Sequence, residues 1–315
     1  MALVYGEKTA GKGAALPRHD AAGTGESPPA AFRFFLSIAF RSSVAVIVSL
    51  FLLLHSPRFI EAENNTWKQV DEGLSVAEFE SPLKSEAGDS RITAVRIDPR
   101  FYAFKLLCSS EYGKKKRTVE EWCTEFHLVA AVNAGMFQEN GFTSVGYMRN
   151  YNHVNNPRFG RDNTVLAFNP VEAGLPEVQI IDRECQDLDS LKRKYNTLVQ
   201  SIRMISCGGQ NVWSQQQGKW SIVAIAMDEN GRVLFLSARS PYSVHDFIEI
   251  LQSLPLSIKN AMYLEGGPQA SLFLSSGDFK VEKYGSMETG FDDAGALQFA
   301  LPIPNVIGIV KRNSE

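Results

Sequence analysis

A carboxylate beside two glycines is the most chemically informative feature of this 315-residue chain. Glu265 follows an apolar run, 261–264, and precedes Gly266 and Gly267, after which a second apolar run, 271–274, begins. The two runs predict buried strands joined by a tight turn, with Glu265 at the tip of the first strand. A carboxyl group in such a partly desolvated place has a raised pKa, which suits catalysis. Because the glycines carry no Cβ, a ligand could approach their backbone closely; the alternative is an exposed turn with an ordinary glutamate.

Two further polar side chains end or interrupt apolar runs. Asn133 follows the predicted strand 128–132, and Gly135 after it indicates a sharp exit that exposes the Asn133 amide at the rim. Arg203 lies inside the run 198–205, where a charged residue needs a partner or a ligand. Arginine binds phosphate oxygens bidentately, asparagine binds hydroxyls, and a carboxylate serves acid–base chemistry. These residue types together suit a substrate that combines a phosphate with a sugar.

The candidate substrate-binding residues lie in loops or glycine turns between the apolar runs, and they are Gly135, Gly146, Tyr147, Arg149, His153, Gly266 and Gly267. A hydrolase built on Ser271 with His153 or His245 is a weaker alternative, because no G-x-S-x-G sequence surrounds the serine. No metal ligand spacing is present, so no metal site is predicted. The chain has neither a G-x-G-x-x-G sequence nor a P-loop, and no cofactor is expected.

Strands dominate the elements that must position these side chains. The hairpin of 222–227 and 232–236 turns at Asn230-Gly231, and 306–310 is the last predicted strand. We predict a single α+β domain over residues 63–315, built on a mixed β-sheet with a few flanking helices.

Three helices are predicted from capping residues and apolar spacing. Thr118 opens the first, which runs through Phe126. Asp187 caps the second, on which Leu188, Leu191 and Tyr195 would share one face. The third spans 243–254 and ends before Pro255.

The N-terminal region differs in composition from the rest. Residues 1–31 are rich in Gly, Ala, Pro and Ser, which predicts a disordered extension. Residues 32–62 contain the uncharged run 42–54 behind Arg41, which predicts a signal peptide or a signal anchor. We therefore expect an exported protein, periplasmic or extracellular, with possible membrane attachment through residues 34–54.

Charge and cysteine content limit the classes of partner and the cellular compartments that we expect. The formal net charge is −3, so nucleic acid is not expected as a partner, and the basic cluster 114–117 is interpreted as a solvated loop. Four cysteines in an exported chain permit disulfides, with three possible pairings; the alternative is four buried thiols.

Five short motifs, in this order along the chain, resemble the phosphodiester glycosidase family. They are 132–137, 145–147, 202–205, 263–267 and 304–308, and the resemblance covers about residues 90–310. It implies hydrolysis of the bond between a sugar anomeric carbon and a phosphodiester, on a carbohydrate or sugar-phosphate substrate. It further implies that Arg203 holds the phosphate, that Asn133 fixes the sugar or phosphate, and that Glu265 acts as a base or stabilises an oxocarbenium ion.

Two features depart from the family pattern. Glu265 replaces the usual aspartate, with Pro268-Gln269 following the glycines, and the loop around His153 is unusually rich in asparagine. These departures favour the exported polysaccharide metabolism linked to bacterial relatives over the substrate of mammalian members. Spacing does not identify a second carboxylate; the candidates are Asp228, Asp292 and Asp293. A non-catalytic polysaccharide-binding or envelope-associated module is the alternative function.

Overall fold

The computed structural model describes residues 66–286 and 300–312. The predicted extension 1–31, the predicted signal segment 32–62, and Asp292 and Asp293 lie outside these ranges. Among the helices within the described ranges, none has the length and apolar character required to cross a membrane.

Seventeen strands account for just under half of the described residues and dominate the regular secondary structure. In chain order they are β1 (Lys68–Asp71), β2 (Leu74–Glu80), β3 (Arg91–Ile97), β4 (Tyr102–Cys108), β5 (Ala130–Asn133), β6 (Met148–Asn150), β7 (His153–Asn156), β8 (Thr164–Pro170), β9 (Val178–Asp182), β10 (Tyr195–Ser201), β11 (Arg203–Ile205), β12 (Trp220–Asp228), β13 (Val233–Tyr242), β14 (Ile258–Gly266), β15 (Ser271–Ser276), β16 (Phe279–Tyr284) and β17 (Asn305–Lys311).

The strands form three sheets. Sheet A has seven strands in the order β1-β2-β3-β13-β12-β14-β11, sheet B has the order β7-β6-β10-β8-β9, and sheet C has the order β16-β15-β5-β17-β4. Every strand pair within the described residues is antiparallel. The prediction of few helices is confirmed, but the protein is largely β and its sheets are antiparallel rather than mixed, because short turns join many neighbouring strands.

The helices follow their capping signals, with one exception. Helix α1 (Val119–Phe126) has the predicted capping box at Thr118, and α3 (Val244–Ser253) begins after Ser243 as predicted. Helix α2 is only Leu188–Leu191. The prediction that Tyr195 shares its face is wrong, since Tyr195 begins β10 and pairs with Pro170.

Sheet A separates two apolar layers. One face packs in a common core with sheets B and C, which brings together side chains such as Phe235, Phe104 and Phe168. The other face packs against α3 through residues such as Phe247 and Ile248. Alternation along each strand of sheet A therefore assigns its side chains to one layer or the other.

Candidate active site

Glu265 reaches the inner face of sheet A because β14 contains a bulge. The register between β12 and β14 pairs Ala224 with Tyr263 and Val223 with Glu265, so Leu264 is the extra residue. Directly opposed residues of an antiparallel pair share a face, and Val223 belongs to the core between the sheets. The Glu265 carboxyl group therefore lies on the core side of β14, and the residue is only 7% exposed.

Burial controls the electrostatics of this carboxyl group. Desolvation raises the pKa of Glu265 to about 7, while a hydrogen bond donated by the Gly266 backbone N–H to Oε1, at 3.0 Å, opposes the rise. A carboxyl group with this pKa exchanges a proton near neutral pH, as a general base or acid must.

Asn133 holds the turn that follows Glu265. Its Nδ2 atom donates to the Gln269 carbonyl at 2.9 Å, and its Oδ1 atom accepts from the Ser271 N–H at 2.7 Å. The residue is 1% exposed, so the prediction of an amide exposed at the rim is wrong. The amide oxygen and the amide nitrogen are both bonded to backbone because the turn 267–271 folds back onto the end of β5. Asn133 thus fixes the turn that follows Glu265.

The two glycines after Glu265 serve different purposes. A Cβ at Gly266 would overlap the Trp220 ring and the Tyr263 hydroxyl, so protein side chains occupy the space that we had predicted for a ligand. Gly267 has φ +67°, the left-handed conformation that the turn requires, and apart from its chain neighbours no atom of the described residues lies within 4 Å of its hypothetical Cβ. The Gly267 side of the turn is thus the more open one.

The two earlier glycine motifs meet the end of β10. A Cβ at Gly146 would overlap the Gln200 carbonyl, and Gly135, with φ +111°, faces the Ser201 hydroxyl. Ser201 donates from this hydroxyl to the Tyr263 carbonyl, two residues before Glu265. Residues from three of the predicted motif regions thus connect, through β10, to the end of β14.

Arg203 is bound by carboxylates. Its Nη1 atom lies 3.2 Å from Asp182 Oδ1 and 2.7 Å from Glu184 Oε2, and its Nη2 atom donates to Glu184 Oε1 at 2.8 Å. Arg203 is 5% exposed and Asp182 is fully buried, whereas Glu184 is exposed. The hydrogen bond from Arg203 holds the pKa of Glu184 below its ordinary value. A phosphate would have to displace Glu184 to reach the guanidinium in this arrangement.

The remaining predicted binding residues lie in or beside sheet B and contact the segments around it. Tyr147 stacks on Phe159, with ring centroids 3.9 Å apart, and Arg149 donates to the Lys192 carbonyl at 3.1 Å. The His153 Nε2 atom lies 2.9 Å from the Ser110 hydroxyl oxygen. The structure therefore does not bring these three side chains to Glu265 through any described contact.

The Ser271 alternative has no histidine within its described contacts. The Ser271 hydroxyl donates to the Gln269 carbonyl at 3.0 Å, and His245 lies in the first turn of α3. Asp228 caps the β12–β13 turn by accepting from the backbone and the side chain of Arg232. These contacts are structural.

Two of the cysteines are joined beside the Arg203 cluster. Cys185 and Cys207 form a disulfide, while Cys108 and Cys123 are buried thiols. Asp182 accepts from the Cys207 N–H at 3.0 Å and lies close to both sulfur atoms. Because the sulfurs are bonded to each other and Asp182 is bonded to Arg203, this group offers no thiolate to a metal.

Sequence reasoning missed the aromatic and acidic neighbours of these motifs. Asp182 ends β9 and gave no spacing signal, since its partner is 21 residues away. Trp213 and Trp220 flank a glutamine-rich segment, a visible signal that we had not connected to Gly266.

Comparisons with known proteins agree with the motif order. The family model described as phosphodiester glycosidase matches residues 126–310. Among solved structures, one similar to this chain is the zebrafish N-acetylglucosamine-1-phosphodiester alpha-N-acetylglucosaminidase catalytic domain, auto-inhibited by its pro-peptide. The TM-score is 0.55 and the sequence identity is 12%. The match covers 78% of this chain and 86% of that chain. A hypothetical protein from Synechocystis is similar with a TM-score of 0.51 and 16% identity, over 76% of this chain and 62% of that one. No curated protein matches. At these identities the solved structures show the fold alone.

Proposed function

This chain belongs to the phosphodiester glycosidase family, and we propose that it is an active hydrolase of glycosyl phosphodiesters. Water would attack the sugar anomeric carbon, and the bond from that carbon to the phosphodiester oxygen would break. The products are the free sugar, a phosphate monoester and one proton. Glu265 is the residue that we assign to this chemistry.

The observation that carries the proposal is the burial of Glu265 at the end of β14, with its pKa raised to about 7. A buried carboxyl group without a cationic partner is unfavourable for folding, and such groups concentrate at functional sites. Among the described residues, the causes of the Glu265 shift are burial and one backbone hydrogen bond, with no cation among them.

We assign Glu265 the role of general base. A phosphate monoester is a stable leaving group, so protonation of the leaving oxygen matters less than activation of water. The ionised carboxylate would accept a proton from the attacking water and favour positive charge on the sugar ring. Asn133 would act through the turn 267–271 that it fixes, and Arg203 through the strand β11 that it anchors.

The proposed setting is outside the cytoplasm, in envelope or exopolysaccharide metabolism. The apolar run 42–54 supports export, and the Cys185–Cys207 disulfide fits an oxidising compartment. The departures from the family pattern at Glu265 and around His153 support a substrate unlike that of mammalian members.

A panel of sugar-1-phosphodiesters tests the proposal, with release of the phosphate monoester as the measurement. We expect turnover of at least one member, with kcat rising with pH through an apparent pKa near 7, as a base with the pKa of Glu265 requires. Binding of the panel without hydrolysis would instead favour a non-catalytic polysaccharide-binding module.

A further inference from the structure

The segment from Trp213 to Trp220 joins β11 to β12 and places two half-buried indole rings at the end of sheet A. We call these two rings the indole patch. Three consecutive glutamines, 215–217, lie between them. This composition of indole rings and amides is unlike an ordinary solvated loop, in which large aromatic rings are uncommon.

Hydrogen bonds inside the protein fix both rings. Trp213 Nε1 donates to the Arg203 carbonyl at 2.6 Å, and Trp220 Nε1 donates to the Tyr263 hydroxyl at 3.0 Å. Because each indole N–H is already bonded, the partly exposed area that remains is apolar ring surface. Rigid aromatic rings of this kind supply a large contact area at a low cost in conformational entropy.

The indole patch borders the catalytic strand. Trp220 covers Gly266, the residue after Glu265, and Trp213 packs against Tyr263 with ring centroids 6.1 Å apart. These contacts lie on the outer face of β14, opposite the face that holds the Glu265 carboxyl group. A group bound on the patch is therefore a part of the substrate other than the bond that reacts.

The polar groups of the segment select against a charged occupant. Lys219 is paired with Glu86 at 2.5 Å, so it offers no free charge to a phosphate. Gln216 is half-buried, and its Nε2 atom is buried with no hydrogen-bond partner in the described part of the chain. An unused buried amide donor in the same segment as the two indole rings matches a neutral ligand with hydroxyl acceptors.

We propose that the indole patch and Gln216 form a saccharide-binding subsite for a sugar unit beyond the scissile bond. The C–H face of a pyranose ring would pack on the indole rings, and a sugar oxygen would accept from Gln216 Nε2. The inference deepens the proposed function and rests on it, since it identifies the substrate as a phosphodiester that carries more than one sugar.

Binding to the full chain carrying Glu265→Gln tests the subsite without turnover. Chitotetraose and maltotetraose serve as probes, with affinity measured by calorimetry and by tryptophan fluorescence. We expect at least one probe to bind, and Trp213→Ala or Gln216→Ala to weaken its affinity by about threefold to tenfold. Trp220→Phe keeps a ring over Gly266 and guards against misfolding, and it should remove part of the fluorescence change.

Trp67→Phe is the matched control, because Trp67 packs against Phe79 elsewhere on sheet A and should leave the affinity unchanged. The subsite is wrong if neither tetrasaccharide binds, or if the three patch variants bind as tightly as the parent. Hydrolysis of a single-sugar phosphodiester by the wild type does not require the patch. If the tetrasaccharides fail to bind while the wild type still hydrolyses a single-sugar phosphodiester, the subsite is wrong and the proposed function stands.

Discussion

At the scale of the residue, the proposed hydrolysis depends on the carboxyl group of Glu265. Glu265→Gln keeps the size of the side chain and its acceptor for the Gly266 N–H, but it removes the basicity. We expect kcat for a sugar-1-phosphodiester to fall by about 10²–10⁴-fold, the usual contribution of a general base. Glu265→Asp is the comparison, since it restores the usual family residue with a shorter reach. Wild-type turnover in Glu265→Gln would remove the residue from the mechanism.

The same carboxyl group should make stability depend on pH. Its pKa is about 7 in the folded protein against an ordinary value of 4.5, so the folded state binds the proton more tightly than the unfolded chain. The free energy of unfolding therefore falls as pH rises from about 4.5 to 7, by at most about 3 kcal/mol. Glu265→Gln should be more stable than the wild type near pH 8 and similar to it near pH 4. Urea unfolding across this range is the measurement, and parallel curves would contradict the burial of an ionisable group.

The sequence predicted the position of Glu265 but not its surroundings. An apolar run followed by glycines is a local pattern, and it correctly placed the carboxylate at the end of a buried strand. The face of the strand depends on one extra residue in the pairing with β12, which no local pattern reveals. Asn133 was predicted at the right strand end with the wrong exposure, because its partners Gln269 and Ser271 are more than 130 residues away.

At the scale of the element, the turn 267–271 depends on the amide of Asn133. Asn133→Ala leaves the Gln269 carbonyl and the Ser271 N–H without their side-chain partner in a buried place. We expect a loss of about 2–4 kcal/mol in the free energy of unfolding and a parallel fall in activity. Asn140→Ala is the control, because the exposed Asn140 side chain bonds only within its own turn. A Tm equal to that of the wild type would show that the turn holds itself.

Strand β11 depends in the same way on Arg203. A lysine keeps the charge but has a single nitrogen, so it cannot reproduce the two bonds that Nη1 and Nη2 make to the two oxygens of Glu184. We expect Arg203→Lys to lower the free energy of unfolding by about 1–3 kcal/mol and activity by about tenfold, measured by thermal unfolding and turnover. If activity falls while the Tm stays constant, the guanidinium contacts substrate phosphate rather than anchoring the strand.

The sequence predicted an element correctly where the residues that stabilise it are close together in the chain. The capping box at Thr118 is complete within four residues, and the helix it predicts is present. The second helix ends early because Tyr195 begins β10 and pairs with Pro170 on β8. The helical spacing of apolar residues could not indicate this pairing.

At the scale of the whole molecule, sheet membership was the least predictable property. The run 198–205 reads as one strand, yet β10 belongs to sheet B and β11 to sheet A, with Ile202 between them. The Ile202 carbonyl accepts from the Tyr263 N–H at 2.8 Å, so the break is fixed by a strand 60 residues later. Apolar periodicity identifies strands, but it carries no information about which sheet each strand joins.

The cysteines allow a test of the proposed export. One disulfide and two buried thiols predict that two of the four cysteines react with a thiol reagent after denaturation without reductant. We expect this ratio in protein recovered from its native compartment. Four reactive thiols there would indicate a reducing compartment and contradict export.

The extra residue at Leu264 brings two consecutive side chains of β14 to the same face of sheet A. Removing one residue between Met262 and Glu265 would restore regular pairing with β12 and leave Glu265 opposite Val223, so the carboxylate would stay on the core side. Leu264 and Glu265 both face that core, and a strand without the extra residue would place only one of them there. Among natural variants of this protein, we therefore expect one that lacks Leu264 to keep the carboxylate on its face but to lose the apolar neighbour that the extra residue supplies.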